Sequence, residues 1–154
     1  MYQKIMVPLD GSKLAECVLP HVESIARGCE VRNVVLVSAV EPIQLHSGGE
    51  NLFSEEDLKR IEASHWSTAE SYLGQIASRL KGEGINAQSE VISGKAADSL
   101  TKYAEKNDVD LTVIATHGHS GVSRWVWGSV SDRILRSTCV PVLMVRAPGC
   151  IPGI

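Results

Sequence analysis

The apolar residues of this chain fall into two rhythms that alternate along its length. Short continuous runs rich in β-branched residues occupy positions 4–9 (KIMVPL), 31–40 (VRNVVLVSAV), 109–115 (VDLTVIA) and 140–145 (VPVLMV, from Val140 to Val145). Continuous apolar character predicts strands buried on both faces. Residues 85–92 supply a further strand. Between the runs, apolar residues recur every three or four positions, the spacing of one helix face. Leu14, Cys17, Val18, His21, Val22 and Ile25 mark a first helix that Gly28 stops. Pro20 lies inside that pattern and predicts a kink, because an internal proline removes a backbone hydrogen bond. Leu58, Ile61, Trp66, Ala69, Leu73, Ile76 and Leu80 are the expected buried stripe of a long second helix, closed by Gly82 and Gly84. Ser54 caps its start, and Glu55, Glu56 and Asp57 suit the positive end of its dipole. Ala97, Leu100, Tyr103 and Ala104 define a third helix, and residues 129–137 a fourth.

The order β-α-β-α-β-α-β-α-β predicts an α/β fold, an open five-stranded parallel sheet with helices on both faces. One domain is expected over residues 1–147. The loop at 41–53, with Pro42, Gly48 and Gly49, reads as mobile, and the tail 148–154 (PGCIPGI) as frayed.

In sheets of this kind ligands bind at the carboxyl ends of the strands, where the winding reverses. The loops after strands one and four are the polar, glycine- or serine-rich ones: Pro8-Leu9-Asp10-Gly11-Ser12, and the segment from Thr116 through Gly121 to Gly128-Ser129. The second loop suits phosphate. Gly118 lets an anion approach the backbone closely. Gly128 precedes a helix whose first N–H groups are unpaired and carry partial positive charge. The Ser129 hydroxyl caps that helix or bonds a ligand oxygen. Bound phosphates also call for a cation, most naturally Mg²⁺. On spacing alone the bland alternative stands beside this one: glycines that only turn the chain and a serine that only caps. Neither G-x-x-x-x-G-K-[ST] nor G-x-G-x-x-G is present, so a phosphate site here belongs to another class. His117 and His119 have no acidic or cysteine partner in their loop, which argues against a metal site. Trp125 and Trp127 read as packing groups.

Composition narrows the partners. The net charge is −3, with no block of like charges, so no nucleic-acid footprint is expected. Cys17, Cys29, Cys139 and Cys150 are scattered without a C-x-x-C pair, the pattern of reduced thiols. No apolar stretch approaches the length of a membrane span, and the first residues lack the long apolar core of a signal peptide. A cytoplasmic protein without a membrane partner is expected.

The combination of motifs resembles the universal stress proteins. The nucleotide-binding branch of that family carries G-x2-G-x9-G-[ST] after its fourth strand. Here Ala115-Thr116-His117-Gly118 is followed by nine residues and Gly128-Ser129. KIMVPLDGS at the start, Leu19-Pro20-His21 and Val140-Pro141-Val142 extend the likeness over nearly the whole chain. The resemblance implies strand order 3-2-1-4-5, with the reversal between strands one and four. It implies that Asp10 accepts hydrogen bonds from adenosine, flanked by Pro8 and Leu9, and that Ala39 lines the adenine pocket. Gly118, Gly128, Ser129, Val130 and Ser131 would contact phosphates, with Thr116 and His117 beside the ribose and phosphates. The family's first glycine is Ala115 here, a change that matters if this residue needs positive φ or if the ribose packs on its Cα.

The function so implied is an ATP-binding (or AMP-binding) stress-response or signalling module. It is expected to dimerise through its last strand, since an apolar edge invites pairing. No catalytic residue is assigned, because no known phosphoryl-transfer motif is present. The alternatives are a slow Mg-dependent ATPase, with His117, His119 and Arg124 as candidates, and a dimeric interaction module that binds no nucleotide.

Overall fold

The structure, a computed structural model, describes residues 1–44, 53–116 and 130–147. β1 (Lys4–Pro8), β2 (Asn33–Val40), β3 (Ala87–Ser93), β4 (Leu111–Ala115) and β5 (Val142–Val145) form one parallel sheet in the order β3-β2-β1-β4-β5. They are connected by α1 (Leu19–Gly28), α2 (Glu55–Gly82), α3 (Ala96–Lys106) and α4 (Val130–Ser137).

Side-chain alternation along each strand divides the core in two. Ile5 and Val7 of β1, with Leu9 just after it, join Val34, Leu36, Leu111 and Val113 under α1 and α2. Met6 joins Val35, Val37 and Ile114 under α3 and α4. Parallel crossovers are right-handed. The chain therefore winds one way from β1 out to β3, returns to the other side of β1, and winds the opposite way through β4 and β5. The helices of the two halves land on opposite faces, and the reversal falls between β1 and β4.

Three expectations need correction. Pro20 kinks no helix. Ala15–Val18 form a 3₁₀ turn, and α1 begins only at Leu19, which puts Pro20 in the first turn, where a missing N–H costs no intrahelical bond. The apolar stripe of α2 is buried only over its second half. Leu73, Ile76, Ala77 and Leu80 are core, whereas Leu58, Ile61, Trp66 and Ala69 are half-buried. The reason is length: a helix of 28 residues runs about 42 Å. β2, with eight residues, runs about 26 Å. The first half of α2 therefore overhangs the carboxyl edge of the sheet. Finally, the last apolar run is not buried on both faces: Leu143 of β5 is exposed, as are Gln88, Ser89 and Glu90 of β3 at the opposite edge of the sheet.

The Ser54 cap is as expected. Its hydroxyl accepts from the Asp57 N–H (3.2 Å), and the Asp57 carboxylate accepts from the Ser54 N–H (3.2 Å) and hydroxyl (2.8 Å). Cys17, Cys29 and Cys139 are unbridged, and burial raises the Cys17 thiol above its usual range. No helix of the described residues is long and apolar enough to cross a membrane. Most of the 41–53 loop, all of the 148–154 tail and Cys150 lie outside the described residues.

Candidate functional site

The sheet opens where a proline stands in its central strand. β1 pairs with β2 from Lys4↔Asn33 to Pro8↔Val37, but with β4 only at Ile5↔Leu111 and Met6↔Thr112. Residues of a parallel strand address their two neighbours alternately. The Leu9 N–H donates to the Val37 carbonyl of β2 (2.9 Å), so Pro8 addresses β4. Proline has no N–H to give, and the β1–β4 ladder ends there. At the other end the same two strands are clamped. The Asp110 carboxylate accepts from the backbone N–H of Gln3 (2.7 Å) and of Lys4 (3.2 Å), and the Lys4 ammonium donates to the Asn107 carbonyl (2.8 Å). The result is a crevice closed at its amino end and open at its carboxyl end.

The loop after β1 holds its acid in a defined place. Gly11 has φ +86°, a left-handed conformation that suits glycine. The Asp10 carboxylate accepts from the Ser12 N–H (2.9 Å), and the Ser12 hydroxyl accepts from the Ala15 N–H (3.1 Å), capping the 3₁₀ turn. Asp10 is exposed at the mouth of this turn.

Beside this loop lies a cleft of about 510 Å³. One wall consists of Asp10, Gly11 and the end of β2 with Glu41. The opposite wall is the overhanging part of α2, through His65, Thr68, Ala69 and Tyr72. Ala39 borders the cleft, while its methyl packs against the α3–α4 cluster. Ser38 and Val40, on either side of it, therefore face α2. The Tyr72 hydroxyl donates to Glu16 Oε1 (3.2 Å), which also accepts from the Lys13 ammonium (3.2 Å). Burial, and then the Glu16 carboxylate, push the Tyr72 phenol well above the usual tyrosine range.

Across the crevice, Ala115 ends β4 in register with Val145, in extended backbone, and its methyl is buried on the α1–α2 side. It has no positive φ, so alanine stands in for the family's glycine without backbone strain. The Thr116 N–H donates to the Val145 carbonyl (2.9 Å), and the Ser131 hydroxyl donates to the Thr116 carbonyl (3.3 Å), tying the end of β4 to the first turn of α4. Ser131 is buried and Val130 exposed. His117, Gly118, Gly128 and Ser129 lie outside the described residues, as do His119, Arg124, Trp125 and Trp127.

Of the residues expected at the site, the fold thus brings Pro8, Leu9, Asp10 and Ala39 to one side of the crevice and Ala115, Thr116, Val130 and Ser131 to the other. Sequence reasoning missed Ser38 and the whole α2 wall. The available signal was the length of the apolar stripe in α2, longer than any strand it has to cover.

Comparison with known proteins agrees with this architecture. The sequence profile of the universal stress protein family matches residues 1–146. Universal stress protein MJ0531 of Methanocaldococcus jannaschii is 28% identical over 150 residues, covering 96% of this chain and 84% of that protein. The solved structure of MJ0577, from the same organism, superposes with a TM-score of 0.83 at 23% identity, over 97% of this chain and 99% of the other. A family member from Arabidopsis thaliana, solved with AMP bound, superposes with a TM-score of 0.67 at 16% identity, over 96% and 93%. Five parallel strands in the order 3-2-1-4-5, with a profile match spanning almost every residue, place this chain in the universal stress protein family.

Proposed function

We propose that this protein binds an adenine nucleotide, ATP or AMP, in the crevice between β1 and β4, and acts as a cytoplasmic, dimeric stress-response module rather than as an enzyme. The observation that carries the reading is the cleft at the carboxyl edge, bordered by Asp10 and Ala39, on the β2–α2 side of the opening where Pro8 ends the β1–β4 ladder. Its volume falls in the range of small-molecule sites. In this reading Asp10 accepts from the nucleoside, with Pro8, Leu9 and Ala39 around it. Ala115, Thr116 and His117 lie along the ribose, and Gly118, Gly128, Ser129, Val130 and Ser131 hold the phosphates. The AMP-bound relative supports the ligand class.

Mg²⁺ fits as a companion of the phosphates rather than as a resident ion. Among the described residues no three histidine, cysteine or carboxylate side chains converge on a metal position. When bound, the ion would neutralise phosphate charge.

Calorimetric titration with ATP and with AMP tests the proposal. Saturable binding is expected, and Gly118→Val should abolish it by blocking backbone approach to the phosphates. Absence of heat at millimolar nucleotide sinks the binding claim, and unchanged affinity in Gly118→Val removes the phosphate site from that loop.

A further inference from the structure

The cleft has a second wall that the family's glycine pattern does not touch. His65, Thr68, Ala69 and Tyr72 are spaced i, i+3, i+4 and i+7, so they form one stripe of α2 turned toward the end of β2. Opposite them stands Ser38, 8% exposed. The Ser38 side chain lines the cleft and faces the α2 side. Ala69, the smallest side chain of the stripe, lines the cleft together with Tyr72 and Val40. Tyr72 is itself held in place through its hydroxyl by Glu16.

Charge decides which part of a ligand belongs here. Asp10 and Glu41 line the cleft, and among the described residues its lining contains no lysine or arginine; Glu16, behind Tyr72, is paired with Lys13. Phosphate oxygens would meet like charge at close range. An uncharged group rich in donors, such as a base amine or sugar hydroxyls, meets acceptors instead.

We propose that Ser38, Thr68, Ala69 and Tyr72 form a recognition wall for the uncharged nucleoside end of the ligand, with the Ser38 hydroxyl bonding its polar edge. This rests on the nucleotide-binding reading and deepens it. The wall selects the nucleoside, and the carboxylates turn the phosphates away toward the β4–α4 side. Ala69 sets the width of the slot.

The test is calorimetric titration of wild type, Ser38→Ala, Thr68→Ala and Ala69→Phe with adenosine, AMP and ATP, with circular dichroism and thermal midpoints to verify folding. Ser38→Ala should weaken all three ligands by the same factor, roughly 2- to 12-fold, the size of one lost neutral hydrogen bond. Ala69→Phe should abolish adenosine binding and weaken ATP as strongly as AMP. If a folded Ser38→Ala binds all three as wild type does, the wall is wrong while nucleotide binding stands. A loss that grows with the number of phosphates also overturns it, because the wall would then face the wrong end. If wild type binds none of the three, the nucleotide reading falls and the wall with it. Thr68→Ala, on the exposed side of a helix, keeps the α2 half of the claim testable should Ala69→Phe fail to fold: unchanged adenosine affinity there removes Thr68 from the wall.

Discussion

Tyr72 and Tyr103 show how single groups are held on the two sides of the sheet. Tyr72 is fixed by Glu16 under α2, and Tyr103 donates its hydroxyl to Glu90. In both cases burial is the largest effect and the neighbouring carboxylate adds to it, raising the phenol above its ordinary range. A folded-state value above the unfolded one means that the fold favours the protonated phenol. That contribution is complete below the unfolded tyrosine value, about 10, and declines as pH rises beyond it. In alkali, the Tyr72 and Tyr103 phenolates should therefore form together with loss of the near-UV circular dichroism signal. In Tyr72→Phe the amplitude of that late phase should halve. A single ordinary transition near pH 10 for all the tyrosines, with the fold intact, would contradict this. Asp10 was legible in the sequence because Asp-Gly-Ser after an apolar run is a strong turn signal. Ser38 was not, since nothing in VVLVSAV distinguishes a hydroxyl facing a cleft from one facing a helix.

At the scale of elements, α2 carries both the success and the failure of pattern reading. Its start was legible residue by residue, from Ser54 to Asp57. The Ser54 hydroxyl first, and its N–H second, hold the Asp57 carboxyl below the usual range. Because the folded value lies below the unfolded one, this contribution is present above the unfolded carboxylate range and lost as pH falls through the folded value. Ser54→Ala should lower the thermal midpoint at neutral pH by roughly 2–5 °C. The difference from wild type should shrink at acid pH, and a difference that does not depend on pH would refute the reciprocal cap. What the pattern concealed was where the support beneath the helix ends. A 3.6-residue period records which face is apolar and says nothing of whether sheet or cleft lies under it. Leu73 and Leu80 rest on strands, Ala69 on a cleft, and all three belong to the same stripe. Likewise the position of Pro20 in the first turn of α1 depends on a 3₁₀ turn that periodicity does not separate from an α-helix.

For the whole molecule, the alternation of elements made a parallel sheet with helices on both faces legible in advance, whereas the strand order came from the family resemblance, because alternation alone does not say where the winding reverses. The edge position of the last strand was expected from that order and not from its apolar run, which does not announce that one side of it lacks a neighbour. β5 is such an edge. Val142 and Met144 are half-buried and Leu143 is 37% exposed, with the backbone of the outer side available for pairing. A homodimer through β5 is expected, with a sedimentation mass twice that of one chain at micromolar concentration. Leu143→Lys should return it to a single chain, and a monomeric wild type would refute the pairing. Pro8 works at this same scale. A missing donor in the middle of the sheet is a covalent property, present before any ligand arrives. A ligand entering the crevice, as proposed, would therefore break no strand-to-strand bond at Pro8. The vacancy is also indifferent to the side chains around it. A substitution in the loop after β1 leaves that gap in the ladder in place, because no side chain there can restore the donor that Pro8 lacks.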